Sequence, residues 1–262
     1  MDYKIYLDQY LREEKAPGEI SIFLVTGCME QYLMAETEEE KNFFLSSLKT
    51  ITDKSSVRAR NLFVLHDALD HEFYRGIIED KMESLRQCPR NSDGIFCESA
   101  ENPVPKPWDF LYEAYPFYMS YETYFHNKAD YGDFYLQMRK FEPAMIRSVT
   151  WEDACFLMML IDVIDSMSQE IFEHYRALKE IFKRTIKKSI PPLTSQEVDK
   201  KAGLAMGYVI VKACSIKVLN SEKYVHIGLS LIDAADGALE DEGMAGLSMM
   251  ADSVKRQFLK YE

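Results

Sequence analysis

Apolar residues recur at intervals of three and four along almost the whole chain, which is the spacing of one face of an α-helix. Only 11 glycines and 9 prolines occur in 262 residues, too few for the many tight turns of an all-β fold. Most periodic segments are separated by short breaks. The sequence therefore predicts an all-α protein of about twelve helices folded in hairpin pairs, within one domain that spans residues 1–262.

Helix starts are marked by capping residues. Thr37 precedes three glutamates, and Thr150 precedes an acidic pair, so a capping hydroxyl is followed by acids at the positive end of the helix dipole. Thr194 follows the Pro191–Pro192 pair and predicts a further start. The predicted helices cover approximately residues 2–14, 19–35, 38–50, 57–69, 71–87, 109–126, 130–147, 151–166, 170–188, 196–218, 222–235 and 243–260.

Two segments depart from the amphipathic pattern. The predicted helix 151–166 is apolar on nearly every side, which indicates that it is buried around most of its circumference. Residues 89–107 contain an Asn-Ser-Asp-Gly turn followed by a proline-dense stretch and do not read as helix. Long irregular connections in compact domains are usually functional or mobile, so a functional site is expected at the end of this connection.

Charge and cysteine content restrict the compartment and the partners. The formal net charge of −12 opposes binding to nucleic acid, and no window of eighteen uncharged apolar residues predicts a membrane span. The charged first residues do not resemble a secretory signal, so a cytoplasmic protein is expected. The odd number of scattered cysteines predicts reduced, mostly buried thiols at Cys28, Cys88, Cys97, Cys155 and Cys214.

Several motifs, in their order and spacing, resemble a known enzyme family. They are RNLFVL at 60–65, PRNSDGIF at 89–96, WDFLYEAYPF at 108–117, Trp151 with MMLIDVID at 158–165, MGYVIVK at 206–212 and GMAGLSMMA at 243–251. The set resembles the unsaturated glucuronyl and rhamnogalacturonyl hydrolases, glycoside hydrolase families 88 and 105. The resemblance covers most of residues 57–260.

The resemblance implies a fold and a reaction. The family fold is a six-hairpin α/α toroid, which needs twelve helices. An aspartate at the position of Asp109 acts there as general acid and base: it protonates the C4=C5 double bond of a terminal unsaturated uronic acid and activates the water that adds across it. Asp53 is the best match for the family's second acid. The implied substrate is a small oligosaccharide, and the reaction needs neither a metal nor an organic cofactor.

The residues around Asp109 suit this role. Trp108 beside it provides an apolar wall, which would raise the pKa of the carboxyl by desolvation. Trp108, Tyr112, Tyr115 and Trp151 are the predicted substrate-binding residues, because aromatic side chains offer stacking surfaces and hydroxyls to a sugar. The alternative role of Asp109 is that of a helix N-cap after proline. His66 and His71 are interpreted as surface or core histidines rather than as metal ligands.

Two shortened connections keep a second function open. The family inserts a histidine-bearing, substrate-contacting loop before the helix that begins at Trp151, whereas residues 140–150 here continue one helix and cap the next. Residues 236–242 form only a short acidic turn where the family has another loop. The alternative is therefore a catalytically degenerate toroid that binds a sugar or a protein partner. Homo-oligomerisation is also left open by the sequence.

Overall fold

The computed structural model describes residues 3–12, 20–54, 60–142, 148–235 and 241–260 of the chain. Within these ranges the regular structure is helical, with no strand and only two isolated β-bridges. None of the described helices has the length and apolarity to cross a membrane. The twelve helices are α1 Tyr3–Arg12, α2 Ile22–Met34, α3 Glu38–Lys54, α4 Asn61–Ala68, α5 His71–Arg86, α6 Trp108–Tyr124, α7 Tyr131–Phe141, α8 Trp151–Ser166, α9 Phe172–Ser195, α10 Lys200–Ser215, α11 Ser221–Ala234 and α12 Glu242–Lys260.

The helices alternate between an outer and an inner layer. The odd-numbered helices bury one stripe each, whereas most even-numbered helices are buried on nearly every side, as in α8, where all residues from Ala154 to Ile164 are buried. Inner helices pack side by side, and α12 packs against α2 to close the ring. The predicted all-α fold, a six-hairpin α/α toroid, is confirmed.

The inner helices α2, α6, α8, α10 and α12 begin at the same end of the toroid, which we call the N-terminal mouth. The backbone N–H of Ser21 before α2 donates to Glu242 of α12 at 3.1 Å. The Phe23 ring stacks on Tyr112 of α6 at 5.3 Å and meets the edge of Trp151 of α8 at 5.4 Å. Side chains from the first turns of these inner helices are therefore gathered at this mouth.

The backbones of α2 and α12 touch where the ring closes. A Cβ placed on Gly246 would lie 2.2 Å from the carbonyl carbon of Phe23, and one on Gly27 would lie 2.4 Å from the carbonyl oxygen of Gly246. Neither neighbour is a side chain that can rotate away. Glycine is therefore required at both positions by close backbone approach.

We expect Gly246→Ala to lower the free energy of unfolding by about 3 kcal/mol or more, since its methyl group must push two backbones apart. Gly76→Ala is the matched control, because Gly76 is exposed within α5 and a Cβ there meets nothing within 4 Å. That change should stabilise the protein by about 0.5–1 kcal/mol through helix propensity. Urea unfolding of both variants measures the difference, and a similar effect from both would contradict the close approach.

Two predicted helix caps are confirmed. The backbone N–H of Glu40 donates to the Thr37 hydroxyl at 3.2 Å. At the start of α8, the N–H of Asp153 donates to the Thr150 hydroxyl while the N–H of Thr150 donates to the Asp153 carboxylate, which forms a reciprocal capping box. These starts were predictable because all participating residues lie within one turn.

The predicted helix start at Thr194 is wrong. Helix α9 continues through Pro191 and Pro192 to Ser195, and α10 begins at Lys200 with the Asp199 carboxylate as its cap. The Thr194 hydroxyl donates to the carbonyl of Ile190 instead of capping a following helix. Pro192 is buried, so packing holds the proline pair in helical conformation despite the two missing N–H donors.

The prediction of free cysteines is confirmed, since all five thiols are unpaired and four of them are buried. Burial raises the pKa of Cys28, and it raises the pKa of Cys214 to about 12. These thiols therefore stay protonated at neutral pH and serve as small apolar residues.

The long connection between α5 and α6 is held against the rest of the protein. Asn91 begins a tight turn in which Gly94 has a φ of 82°, as the turn motif predicts. The Arg90 guanidinium forms an ion pair with Asp133 of α7 at 2.9 Å and lies over the ring of the buried Phe96. These contacts fix the position of the connection, which leads to Trp108 at the mouth.

Candidate active site at the N-terminal mouth

Asp109 is exposed in the first turn of α6, at the end of the long connection. The residue at the N-cap position is Pro107, whose ring makes no capping hydrogen bond. The alternative interpretation of Asp109 as the N-cap is therefore wrong. Its carboxylate is accessible to a ligand at the positive end of the helix dipole.

The two tryptophans are half-buried in the first turns of α6 and α8. Trp108 packs against Phe141 at 5.4 Å and Phe156 at 6.4 Å between ring centroids. Trp151, in the first turn of α8, has the ammonium of Lys201 4.2 Å from its ring centroid. Neither tryptophan is fully buried, so both remain partly accessible to solvent.

Lys201 is a candidate binding residue that the sequence analysis missed. Burial is the main cause of the raised pKa of Cys155 in α8; the charge of Asp109 raises this pKa further and the charge of Lys201 lowers it. Asp109 and Lys201 therefore lie close enough to the same thiol to act on it. Asp109 and Lys201 stand in the first turns of α6 and α10, the two inner helices that pack against α8.

The sequence contains a signal for Lys201. Lys200 and Lys201 occupy the first turn of α10, where a cation opposes the helix macrodipole. The Asp199 cap offsets part of this unfavourable interaction by accepting from the N–H groups of Lys201 and Ala202. Two lysines in the first turn of a helix are unfavourable for its stability, so they are better candidates for a binding role than lysines elsewhere on the surface.

The sequence analysis predicted that Tyr112 and Tyr115 contact the substrate, but neither side chain is exposed at the mouth. Both side chains are buried, with relative exposures of 2% and 0%. The Tyr112 hydroxyl donates to Asp162 at 2.7 Å, and the Tyr115 hydroxyl donates to Gln137. Their rings face the core because they lie on the inner side of α6, so neither ring is exposed to a ligand at the mouth.

Asp53 is not brought together with Asp109. It is exposed on outer helix α3 and forms an ion pair with Lys49, one turn earlier, at 2.7 Å. Burial, and less strongly the charge of Asp53, raises the pKa of Tyr74 in outer helix α5. The Asp53 carboxylate therefore lies near Lys49 and Tyr74 in the outer layer of helices. Among the described residues, no contact joins Asp53 to Asp109.

Beneath the mouth, charged side chains from several inner helices meet in what we call the axial network. Its members are Glu30, Arg60, Asp162, Asp165 and Lys212, together with the hydroxyls of Tyr112 and Tyr208. The Lys212 ammonium lies 2.8 Å from Asp162, 3.1 Å from Glu30 and 3.0 Å from Asp165. Arg60 approaches Asp162 at 3.0 Å as an ion pair outside hydrogen-bonding geometry. The network ties α2, α6, α8 and α10 to the residue that precedes α4.

The pKa of Asp162 reflects these opposite charges. Burial alone would raise it, but the charges of Arg60 and Lys212 and the hydrogen bonds from Lys212 and Tyr112 lower it below its ordinary value. The Lys212 pKa lies above its ordinary value because Asp162, Asp165 and Glu30 outweigh the effect of burial. Both groups are therefore charged at neutral pH.

Asp109 is not among the lining residues of three cavities in the described part of the chain, one of which, of about 460 Å³, is lined by Ser92, Leu136 and Lys140, among others. A second, of about 480 Å³, is lined by Tyr3, Gln31, Asp252 and Arg256, among others. Another of about 330 Å³ lies at the opposite end of the toroid, lined by Arg60, Asp165 and Tyr124, among others. The candidate site is therefore defined by the side chains gathered at the mouth and not by these cavities.

Comparisons with known proteins agree with the fold. No protein-family profile and no curated protein matches the sequence. Among solved structures, a family 105 glycoside hydrolase from C. acetobutylicum ATCC 824 superposes with a TM-score of 0.70 at 12% sequence identity, over 89% of this chain and 92% of the other. The expected resemblance in fold to family 105 is confirmed.

Proposed function

We propose that this protein is a glycoside hydrolase-like enzyme that hydrates the C4=C5 double bond of terminal unsaturated uronyl residues on small oligosaccharides. The observation that carries the proposal is the grouping of an exposed acid, Asp109, with Lys201 and Trp151 at the mouth of a toroid whose fold matches that of a family 105 glycoside hydrolase. An anionic sugar needs a cation and a stacking surface, and this mouth offers both beside the acid.

In the proposed reaction, the carboxylic acid of Asp109 gives its proton to C4 of the double bond. Positive charge then develops at C5 and the ring oxygen, and the Asp109 carboxylate takes a proton from a water molecule whose oxygen bonds to C5. One water has been added across the double bond and Asp109 is again protonated. The hemiketal at C5 opens to a ketone, which leaves the former ring oxygen as a hydroxyl group on C1. The resulting hemiacetal at C1 breaks down to an aldehyde and releases the next sugar as an alcohol.

Lys201 and Trp151 bind and orient the substrate in this proposal. The Lys201 ammonium pairs with the uronate carboxylate attached to C5, and the exposed part of the Trp151 ring packs against the sugar. Trp108, which precedes Asp109 in α6, offers the sugar a second aromatic surface. These three residues hold the double bond beside the acid, which is the main requirement for efficient proton transfer.

One observation favours the alternative of a non-catalytic toroid that binds a sugar or a protein. Of the two predicted catalytic acids, Asp109 lies at the mouth, while Asp53 pairs with Lys49 on the outer layer. A single carboxyl group can act as acid and base in turn, so the hydration reaction remains the first proposal. Binding without turnover is the outcome that would support the alternative.

The test is the loss of ultraviolet absorbance when the protein is mixed with a panel of unsaturated glucuronyl and galacturonyl disaccharides, because hydration destroys the conjugated double bond. Lys201→Met should raise KM by roughly 10–100-fold with a smaller change in kcat, as expected for a charged hydrogen bond made in both the ground and transition states. Lys200→Met, its exposed neighbour, is the control and should change neither constant. A wild type that is inert on the whole panel would overturn the proposed activity.

We further propose that the enzyme works in the cytoplasm. Five unpaired thiols are typical of a reducing compartment, and this supports the assignment.

A further inference from the structure

At the end of the toroid opposite the mouth, two histidines and an aspartate converge at the turn between α4 and α5. His66 and Asp67 lie near the end of α4, and His71 is the first residue of α5. One ligand atom from each lies within 4.8 Å of the other two. The two imidazole rings meet edge to face with 4.8 Å between their centroids.

We propose that His66, Asp67 and His71 form a binding site for a divalent transition metal ion of the zinc class. Two imidazoles and one carboxylate are a ligand set that zinc prefers, with a fourth position left for water or another ligand. The hydration reaction at Asp109 uses none of these residues. The site is therefore independent of the proposed activity.

The geometry needs only small movements to hold the ion. Zinc-to-ligand bonds of about 2.0–2.1 Å place tetrahedral ligand atoms ~3.3 Å apart. His66 Nδ1 and Asp67 Oδ1 are already 2.8 Å apart and must separate slightly, while the His71 imidazole moves inward. His71 and Asp67 are exposed, so rotation of their side chains is unobstructed by the core.

The backbone around the site is fixed on both sides. The Asp70 carboxylate accepts from the N–H of Phe73 at 3.0 Å and so caps α5 directly before His71. The His66 ring packs edge-on against Phe125, with 5.5 Å between centroids, and its side chain is only 17% exposed. The ligands are thus presented by two anchored helix ends, which reduces the entropy lost on binding.

The local charge favours a cation. The end of α4, the turn and the first residues of α5 carry three carboxylates, those of Asp67, Asp70 and Glu72. The nearby Arg75 guanidinium lies over the Phe125 ring and is paired with Glu79 at 2.9 Å, so its charge is largely compensated. A positive ion at the turn would offset the excess of negative charge.

A second trio, Glu122, His126 and Asp130, has similar spacing but its ligand atoms are already engaged. Both oxygens of the buried Glu122 carboxylate lie 2.9 Å from His126 Nδ1, and one also accepts from the N–H of Asp130. Asp130 in turn accepts from the Tyr118 hydroxyl. In the first trio, by contrast, a bound ion has to replace only the hydrogen bond between His66 Nδ1 and Asp67 Oδ1, and the His71 ring makes no hydrogen bond within the part of the chain that the structure describes. The first trio is therefore the one to which we assign the ion.

The experiment is a zinc titration of chelator-treated full-length protein in competition with a chromogenic indicator. Wild type should bind one equivalent. His71→Ala should weaken binding by at least ~100-fold, more than the ~10–100-fold typical of losing a partner outside the ligand shell. His226→Ala, which removes an exposed histidine of α11, is the matched control and should bind as the wild type does. His126→Ala tests the second trio and should also leave the affinity unchanged.

Three outcomes would overturn the proposal. They are a wild type that does not retain zinc against the indicator, an affinity indifferent to His71→Ala, and a loss of binding confined to His126→Ala. Circular dichroism of His71→Ala excludes unfolding as the cause of a loss, because an exposed side chain at a helix start contributes little to the core.

Discussion

Asp109→Asn is expected to slow the loss of ultraviolet absorbance from unsaturated uronyl disaccharides by ~10²–10⁴-fold, the usual cost of removing a general acid and base. Asparagine keeps the shape of the side chain but has no transferable proton. The variant should fold normally, because Asp109 is exposed and the N-cap position of α6 is Pro107. Its KM should change little, since Lys201 and Trp151 still bind the sugar. Initial rates at saturating substrate measure the effect.

Glu152→Gln is the matched control for this substitution. Glu152 is an exposed acid in the first turn of the neighbouring inner helix α8, and its charge also acts on Cys155. Its loss should leave the rate within a few-fold of wild type if the effect at Asp109 is chemical and not a change in local charge. Asp53→Asn should also have a small effect, because Asp53 pairs with Lys49 away from the mouth. An Asp109→Asn variant with wild-type activity would rule out the catalytic role.

Lys212→Met is expected to lower the free energy of unfolding by about 3–5 kcal/mol, the typical cost of removing one partner from a buried ion pair. The axial network contains three acids, Glu30, Asp162 and Asp165, and two bases, Arg60 and Lys212. Without Lys212, Arg60 alone must compensate them. Urea unfolding followed by circular dichroism measures the loss.

Lys255→Met is the control for the axial network. Lys255 lies 2.6 Å from Asp233, a shorter separation than any that Lys212 makes, but this pair is at the surface. Its loss should cost about 0–1 kcal/mol because water screens the interaction. Equal effects at Lys212 and Lys255 would contradict a special contribution from the buried network.

The axial network also predicts how stability depends on pH. The pKa of Asp162 in the folded protein lies below its ordinary value. Its contribution to stability is therefore present above the pKa of an unfolded aspartate, about 3.9, and is lost as the pH falls through the lower folded value. Wild type should lose more stability than Lys212→Met over this acidic range, since the variant has already lost part of the interaction that lowers the Asp162 pKa.

Some helix boundaries could be predicted from the local sequence, and others could not. The starts at Thr37 and Thr150 were predictable because the hydroxyl, the acids and the N–H groups lie within one turn. The end of α9 was not, since Pro191 and Pro192 favour a break locally. The burial of Pro192 against the rest of the protein maintains the helix, and that packing is not encoded within the segment.

Some features of the candidate site could likewise be predicted from the local sequence, and others could not. The motif around Trp108 and Asp109 located the first turn of α6 correctly at the end of a long connection. Sequence could not decide which side of α6 faces solvent, so Tyr112 and Tyr115 were expected at the site although both are buried. Lys201 was missed because its proximity to Trp151 depends on how α10 packs beside α8.

The amino-acid sequence was sufficient to predict an all-α fold of about twelve helices, the burial of the helix at 151–166 on most sides and five free thiols. These properties follow from apolar periodicity, capping and composition, which act over a few turns or over the chain as a whole. The tertiary structure alone decided which charged groups meet. Lys212 and Glu30 are 182 residues apart in the chain, yet Lys212 Nζ lies 3.1 Å from Glu30 Oε1 in the core. Such contacts depend on the rotation and axial shift of one helix against another, and those are fixed by packing of the whole ring rather than by local sequence.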